Sequence, residues 1–269
     1  MKIAALQTVS GADVAANLES ARALLERASQ LGAELAVLPE YFCVMGRRDT
    51  DKLPLAERAD GGTVQAFLAD AARELGLWIV GGTLPLVAES DAHVRNSSLA
   101  YSPEGRCVAR YDKIHLFRFD NGREQYDESR VIERGSLPQS FTLPSRDGHA
   151  WRVGLSVCYD LRFPELYRAL AADLLLVPSA FTFGTGQAHW EVLLRARAIE
   201  NLAYVAAPAQ GGRHDNGRRT WGHSMLVDPW GSVLAQRDED GAGVVLAELS
   251  QQRLGQVRAQ LPALGHRVL

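Results

Sequence analysis

Cysteine is scarce in this chain, and its distribution excludes several kinds of protein. Only three cysteines occur among 269 residues, far apart in sequence and without a CxxC pair. An odd number of isolated cysteines argues against a disulfide framework and favours a reducing compartment. The seven histidines form no HExxH motif and no Cys/His pair at zinc spacing, so the sequence predicts no metal site.

Positive charge, long apolar runs and nucleotide-binding motifs are also missing. The net charge of -3 gives no reason to expect nucleic acid or an anionic membrane as a partner. No apolar run approaches the roughly 18 residues of a membrane span, and the amino-terminal residues lack the features of a signal peptide. Since no GxxxxGK[ST] or GxGxxG motif occurs, we expect no nucleotide cofactor. From the isolated cysteines and the lack of signal-peptide features we predict a cytoplasmic protein.

The pattern of apolar residues predicts one α/β domain that spans residues 1–269. Hydrophobic residues make up 46% of the chain and charged residues 23%, which suits a large core. The predicted elements suggest a layered sandwich with helices outside and sheets inside: strands at 2–7, 35–38, 77–80, 153–157, 174–177 and 202–206, and helices at 14–31, 64–75 and 188–200. Residues 118–138 show no clear period, and so long a connection inside a domain is usually functional.

The segment 151–167, WRVGLSVCYDLRFPELY, predicts a reactive cysteine. A buried strand runs into Cys158, and a short helix begins near Pro164, where proline suits the first helical position. Backbone N–H groups at such a turn can hold an oxyanion, and the helix terminus would lower the thiol pKa from about 8.5. The alternative is a small core residue, because free cysteine is often buried. A Ser nucleophile elbow is not predicted, since its last glycine is replaced by Cys158.

Three further residues are candidates for the groups that a cysteine nucleophile needs. Glu40 ends a buried strand and could be the base; alternatively, it is solvated at the rim. Lys113 could meet a developing negative charge; alternatively, it is an ordinary edge-strand lysine. Glu128 could be a second carboxylate or an exposed loop residue. His115 is a rival base, although such a histidine is more often structural.

Three blocks around these residues resemble the signature blocks of the nitrilase superfamily of carbon–nitrogen hydrolases: LPEYF at Glu40, YDKIHLF at Lys113 and GLSVCYDLRFPEL at Cys158. The likeness extends over essentially the whole chain. It implies that Glu40 is the general base, Lys113 a stabilising cation or proton donor, and Cys158 the nucleophile. Glu128 matches the additional glutamate of the family less tightly. The resemblance also implies a four-layer αββα sandwich, no metal or organic cofactor, and a homodimer or larger assembly paired through outer helices.

The second half of the chain is similar to the Nit-type branch of that superfamily, at residues 178–201, 209–214 and 222–233. The resemblance implies a small-molecule substrate, the amide of a keto acid, cleaved through a thioester. Ser179 and Thr182 stand where a related amidase type tends to have Gly and Asn. The alternatives are another amidase of this branch, a true nitrilase, and a binding protein that has lost catalysis.

Three residues are the predicted substrate contacts. The backbone N–H of Tyr159 would receive the oxyanion together with Lys113, and Phe181 would line the pocket. Arg162 would bind a substrate carboxylate, because a guanidinium matches that group; alternatively, it pairs with Asp160 or Glu165. Weaker candidates of the same kind are Trp190, Arg195, Arg197, Arg213 and His214.

Overall fold

Two β-sheets pack face to face in the computed structural model, which describes residues 1–122 and 124–268. The helices are α1 (Val14–Gln30), α2 (Thr63–Leu75), α3 (Pro164–Leu170), α4 (Phe183–Asn201) and α5 (Gln251–Gln260). The strands are β1 (Lys2–Gln7), β2 (Leu35–Val37), β3 (Trp78–Val80), β4 (Leu84–Val87), β5 (Val94–Tyr101), β6 (Cys107–Asp112), β7 (Arg118–Asp120), β8 (Gln125–Asp127), β9 (Gln139–Pro144), β10 (Ala150–Leu155), β11 (Leu174–Leu176), β12 (Tyr204–Ala207), β13 (Gly211–Arg213), β14 (Arg219–Trp221), β15 (Met225–Val227), β16 (Val233–Gln236) and β17 (Gly243–Glu248).

Each large sheet has three parallel strands at its centre. The first sheet has the order β17-β1-β2-β3-β5-β4, with β6 also paired to β5, and the second has the order β16-β15-β12-β11-β10-β9. Strands β1, β2 and β3 are parallel, as are β10, β11 and β12. Glu40 follows β2 by three residues and Cys158 follows β10 by three residues, so both lie beyond the carboxyl ends of parallel strands, where α/β proteins place their sites.

Alternate residues of the strands face two different apolar layers. In β1, Ile3 belongs to the core shared with Val153 of the opposite sheet, whereas Ala4 belongs to the core shared with Leu25 of α1. Helices α1 and α2 cover the first sheet, and α3 and α4 contact the second. Because side chains alternate along a strand, one row of side chains lies between the two sheets and the other row lies beneath the helices. The predicted four-layer αββα sandwich is confirmed.

Several element boundaries differ from the prediction. Helix α4 begins at Phe183, five residues before the predicted start, and Gly186 lies inside it. A Cβ on Gly186 would lie 2.2 Å from Cβ of Trp221, so glycine allows the close approach of α4 to β14. The connection 118–138 contains the hairpin of β7 and β8 and a 3-10 turn, Glu128–Arg130; residue 123 lies outside the described residues. No helix in the described part of the chain is long and apolar enough to cross a membrane.

Candidate active site

Cys158 lies in a sharp turn that hydrogen bonds hold on both sides. Its φ angle is 49°, a left-handed conformation that costs a non-glycine residue about 1–3 kcal/mol. Its backbone N–H donates to the Pro178 carbonyl at 3.0 Å, and the preceding Val157 N–H donates to Oδ2 of Asp160 at 2.8 Å. A 3-10 turn, Cys158–Arg162, leads directly into α3. The turn that the sequence predicted after β10 is therefore present and tightly fixed.

Glu40, Lys113 and Glu128 form one buried network. Nζ of Lys113 donates to Oε1 of Glu40 at 2.9 Å, and it lies 2.9 Å from Oε1 and 2.8 Å from Oε2 of Glu128. Asn96 Nδ2 donates to Oε1 of Glu40 at 3.0 Å, and the Ala180 N–H donates to Oε2 at 3.0 Å. The interpretation of Glu40 as a solvated rim carboxylate was wrong, because its side chain is 1% exposed.

Glu128 joins the network from the loop after β8. Its Oε1 accepts from the Tyr41 hydroxyl at 2.9 Å, and its Oε2 accepts from the Phe117 N–H at 2.7 Å. Burial acts to raise the pKa of Glu128, but Lys113 and these donors outweigh it and lower the pKa below its ordinary value. The interpretation of Glu128 as an exposed loop glutamate was therefore wrong.

The two carboxylates keep Lys113 charged. Burial acts to lower the pKa of its ammonium, but the charges of Glu128 and Glu40 outweigh burial, so the pKa is raised. Its side chain is fully buried, so the interpretation of Lys113 as an ordinary edge lysine was wrong. An ammonium held in this state suits the neutralisation of negative charge.

The Cys158 thiol is not activated in the resting site. Burial raises its pKa well above the ordinary value, and the charge of Glu40 raises it further, whereas Lys113 acts in the opposite direction. The lowered thiol pKa that the sequence predicted was wrong, because desolvation and two nearby carboxylates exceed the effect of one ammonium. A thiol that holds its proton at neutral pH needs a base before it can attack.

A narrow cleft brings most of these groups together. Its lining residues are Glu40, Phe117, Glu128, Cys158, Tyr159, Arg162, Ala180, Phe181, Thr182, Thr185 and Arg218. Lys113 lies behind this lining, in contact with both carboxylates. A larger and more open hollow beside β4 and β6 contains none of the predicted site residues.

The predicted substrate contacts all line this cleft. Arg162 is stacked near Tyr159 and Phe181, with 5.8 Å and 5.6 Å from its guanidinium carbon to the ring centroids. Its Nη2 lies 3.3 Å from Nδ1 of His189. Within the described residues Arg162 forms no ion pair, so the alternative of pairing with Asp160 or Glu165 was wrong.

The weaker candidates serve other contacts. Arg195 pairs with Glu191 at 3.1 Å and Arg197 with Glu200 at 2.6 Å, so each of these arginines has a carboxylate partner on α4 itself. His214 is buried away from the cleft. Its ring nitrogens lie 2.8 Å from the Ser10 carbonyl and 2.8 Å from the Thr220 hydroxyl. Trp190 packs against Phe181 behind the cleft, and Arg213 is exposed at the end of β13.

Asp160 has a role in the site that the sequence did not reveal. This buried carboxylate accepts from the Tyr111 hydroxyl at 2.7 Å and lies 2.7 Å from Nδ1 of His115. His115 is thereby held structurally, stacked on Phe163 with 3.7 Å between ring centroids. A charged residue inside the turn of a buried cysteine was the signal for this role, because a buried carboxylate requires partners.

The described residues, 1–122 and 124–268, contain no group of three or more His, Cys, Asp or Glu side chains placed to hold a metal ion. The cleft instead presents a thiol, two carboxylates, an ammonium behind them and two guanidinium groups. Such a set suits nucleophilic attack on a carbonyl carbon with proton transfer through a carboxylate.

Comparisons with known proteins agree with this chemistry. A family model described as carbon-nitrogen hydrolase matches residues 2–259. A deaminated glutathione amidase of Synechocystis is 42% identical over 98% of this chain and 97% of its own length. The crystal structure of the Caenorhabditis elegans NitFhit protein matches with a TM-score of 0.88 and 37% identity, over 99% of this chain and 65% of that one.

A second solved structure relates the chain to the nitrilase superfamily. Saccharomyces cerevisiae Nit3, described as a member of branch 10 of the nitrilase superfamily, matches with a TM-score of 0.85 and 30% identity, over 97% of this chain and 94% of that one. The chain therefore belongs to the carbon–nitrogen hydrolase family of the nitrilase superfamily, and it is a hydrolase of carbon–nitrogen bonds other than peptide bonds.

Proposed function

We propose that the chain, as one hydrolase domain over residues 1–269, cleaves the amide of deaminated glutathione to 2-oxoglutarate and cysteinylglycine. In this proposal Cys158 is the nucleophile, Glu40 the general base and Lys113 the stabilising cation. Glu128 holds Lys113 in place. The observation that carries the proposal is the 2.9 Å contact of Lys113 with Glu40 beside a cleft that Cys158 lines. The activity for which the Synechocystis relative is named supports the substrate.

The first half of the reaction forms a thioester. Glu40 takes the thiol proton, and Sγ of Cys158 bonds to the amide carbon. Within the described residues, Oε2 of Glu40 accepts from Ala180 N–H alone, whereas Oε1 accepts from two donors. Oε2 therefore has the lone pair for this proton. Lys113 and the Tyr159 backbone N–H stabilise the oxyanion, and such a donor is commonly worth about 3 kcal/mol.

The second half releases the acid. The carbon–nitrogen bond breaks as Glu40 returns its proton to the departing amine, which is cysteinylglycine. Water then enters, Glu40 takes one of its protons, and the hydroxide attacks the thioester carbon. The carbon–sulfur bond breaks, Cys158 recovers its proton from Glu40, and 2-oxoglutarate leaves. Each proton that moves comes from the thiol or from water and passes through Glu40, and the proposed cycle uses no metal or organic cofactor.

Arg162 and Phe181 are the proposed contacts of the 2-oxoglutaryl group. The Arg162 guanidinium has no carboxylate partner in the described part of the chain, which leaves it free for the keto-acid carboxylate. Phe181 is buried and offers an apolar wall to the methylene carbons.

A kinetic comparison tests the substrate. The purified protein is assayed with deaminated glutathione and with 2-oxoglutaramate, and the release of 2-oxoglutarate is measured for both. We expect a higher kcat/KM for deaminated glutathione and no turnover by Cys158→Ala. Much faster turnover of 2-oxoglutaramate would make the chain an omega-amidase, and turnover of nitriles instead would make it a nitrilase. Absence of any thioester adduct by intact-mass spectrometry would favour a binding protein.

We also propose that two copies of the chain pair through their outer helices as a homodimer, and that the protein is cytoplasmic. Val192 and Ile199, two turns apart on α4, are 69% and 46% exposed, and Trp230 nearby is 52% exposed. Such an apolar patch is typical of an interface. All three cysteines are free, which fits a reducing compartment. Sedimentation of the wild type and of Ile199→Glu tests the assembly, and a monomeric wild type would contradict it.

A further inference from the structure

Arg218 is a cation at the cleft that lacks a carboxylate partner. Within residues 1–122 and 124–268 it forms no ion pair, and its Nε is buried without any hydrogen-bond partner. Its Nη2 donates to the Ala180 carbonyl at 3.2 Å, and its guanidinium carbon lies 5.0 Å from the centroid of the Tyr126 ring. A buried donor without a partner is energetically unfavourable, so this guanidinium is poised to bind an anion.

The two unpaired arginines occupy different parts of the site. Arg162 lines the cleft of Cys158 but neither of the two hollows that adjoin it. Arg218 lines the cleft and both hollows. Lys52 lines both hollows but not the cleft. Arg162 therefore belongs to the cleft alone, whereas Arg218 connects the cleft with the two hollows that Lys52 lines.

Lys52 adds positive charge behind Arg218. Its side chain is 12% exposed, its Nζ lies 4.5 Å from the centroid of the Tyr41 ring, and its carboxylate partner, Asp49, is 3.9 Å away and 71% exposed. Burial lowers the pKa of Lys52 and outweighs the charges of Asp49, Glu128 and Glu40, which act to raise it, while the charge of Arg218 acts in the same direction as burial. Glu40 and Glu128 are already paired with Lys113, and within the described residues Asp49 is the one carboxylate within 4 Å of Lys52. An anion bound between Arg218 and Lys52 would therefore offset the repulsion between these two cations.

We propose that Arg218, with Lys52 behind it, binds the terminal carboxylate of the departing amine. The inference rests on the proposed function, because cysteinylglycine ends in a carboxylate, whereas the ammonia released from 2-oxoglutaramate does not. The 2-oxoglutaryl group is the same in both substrates and lies on the side of Arg162. Arg218 is thus a specificity-determining residue that favours a peptide-like leaving group over ammonia.

The test separates the two ends of the substrate. Arg218→Gln, Lys52→Gln and Arg162→Gln are each assayed with deaminated glutathione and with 2-oxoglutaramate. We expect Arg218→Gln to lower kcat/KM for deaminated glutathione roughly 10- to 100-fold, the loss of a charge-assisted hydrogen bond, and to change it less than about threefold for 2-oxoglutaramate. Arg162→Gln lowers both. Lys52→Gln has a smaller effect with the same selectivity, and Arg218→Lys restores part of the loss.

A matched variant and a modified substrate complete the design. Arg219 is adjacent in sequence but pairs with Asp240 at 3.5 Å and stacks on Phe183 outside the cleft, so Arg219→Gln is the control for loss of a nearby charge. Deaminated glutathione with its glycine carboxylate converted to an amide should be a poor substrate for the wild type. It should be no poorer for Arg218→Gln, because the contact is then absent in both.

Two results would overturn the inference, and they are distinguishable. If the wild type cleaves deaminated glutathione but Arg218→Gln lowers kcat/KM equally for both substrates, Arg218 contacts the shared acyl group and the proposed function stands. If the wild type does not cleave deaminated glutathione, the proposed substrate fails and the inference fails with it. Circular dichroism of each variant establishes that it is folded, and Lys52→Gln gives an independent measurement if Arg218→Gln does not fold.

Discussion

Oδ2 of Asp160 accepts a hydrogen bond from the Tyr111 hydroxyl at 2.7 Å, and this contact joins the two halves of the site. Tyr111 lies on β6 in the first sheet, two residues before Lys113, whereas Asp160 lies two residues after Cys158, beyond the second sheet. The same carboxylate accepts from the Val157 N–H at 2.8 Å. Asp160 therefore sets the position of the nucleophile relative to the strand end that carries the lysine.

We expect Asp160→Asn to reduce kcat about 10- to 100-fold, because the thiol and the lysine are no longer held in the correct relative position. KM should stay nearly constant, because Asp160 is not a proposed substrate contact. Asp160→Ala should also lower the free energy of unfolding by about 3–5 kcal/mol, since it leaves buried donors without an acceptor. Steady-state kinetics and urea unfolding measure the two effects. The exposed Asp60→Asn is the control. If the role of Asp160 were purely structural, Asp160→Asn and Asp160→Ala would both be less stable than the wild type, but their folded molecules would retain the full kcat.

Glu40→Gln should leave a folded protein with kcat reduced about 100- to 10,000-fold, the usual contribution of a general base. The amide still accepts from Lys113 but cannot take the thiol proton. Thermal unfolding and steady-state kinetics measure this, and the exposed Glu19→Gln should match the wild type in both. Loss of folding by Glu40→Gln alone would instead make this carboxylate a structural charge.

The parts of the site that the sequence predicted are those set by local pattern. Glu40 and Cys158 each follow a short apolar strand, and each sheet places such a residue beyond the carboxyl ends of its parallel strands. The contact of Asp160 with Tyr111 was not predictable, because it joins residues 49 positions apart across two sheets. Arg218 was missed for the same reason: its loop carries no period, and its relation to the cleft depends on how β13 and β14 fold against α4.

The predicted start of α4 was wrong because glycine within a helix is normally unfavourable. At Gly186 the packing against Trp221 outweighs that preference. We expect Gly186→Ala to lower the free energy of unfolding by about 1–3 kcal/mol through overpacking. Gly255 is the matched control, because it lies in α5 and a Cβ added to it would have no atom within 4 Å. Gly255→Ala should raise stability by about 0.5–1 kcal/mol. Equal effects in urea unfolding would contradict this account of α4.

The raised pKa of the Cys158 thiol predicts a specific loss of stability at alkaline pH. In the unfolded chain the thiol ionises near its ordinary pKa of about 8.5, whereas in the folded protein burial and Glu40 keep it protonated. The stabilisation that results is complete below about pH 8.5 and is lost as the pH rises above that value, by up to about 1.4 kcal/mol per pH unit. Urea unfolding of the wild type and of Cys158→Ala between pH 7 and pH 10 measures the difference, in which the titration of other groups cancels. Parallel stability curves for the two proteins over that range would show that the folded-state thiol pKa is not raised.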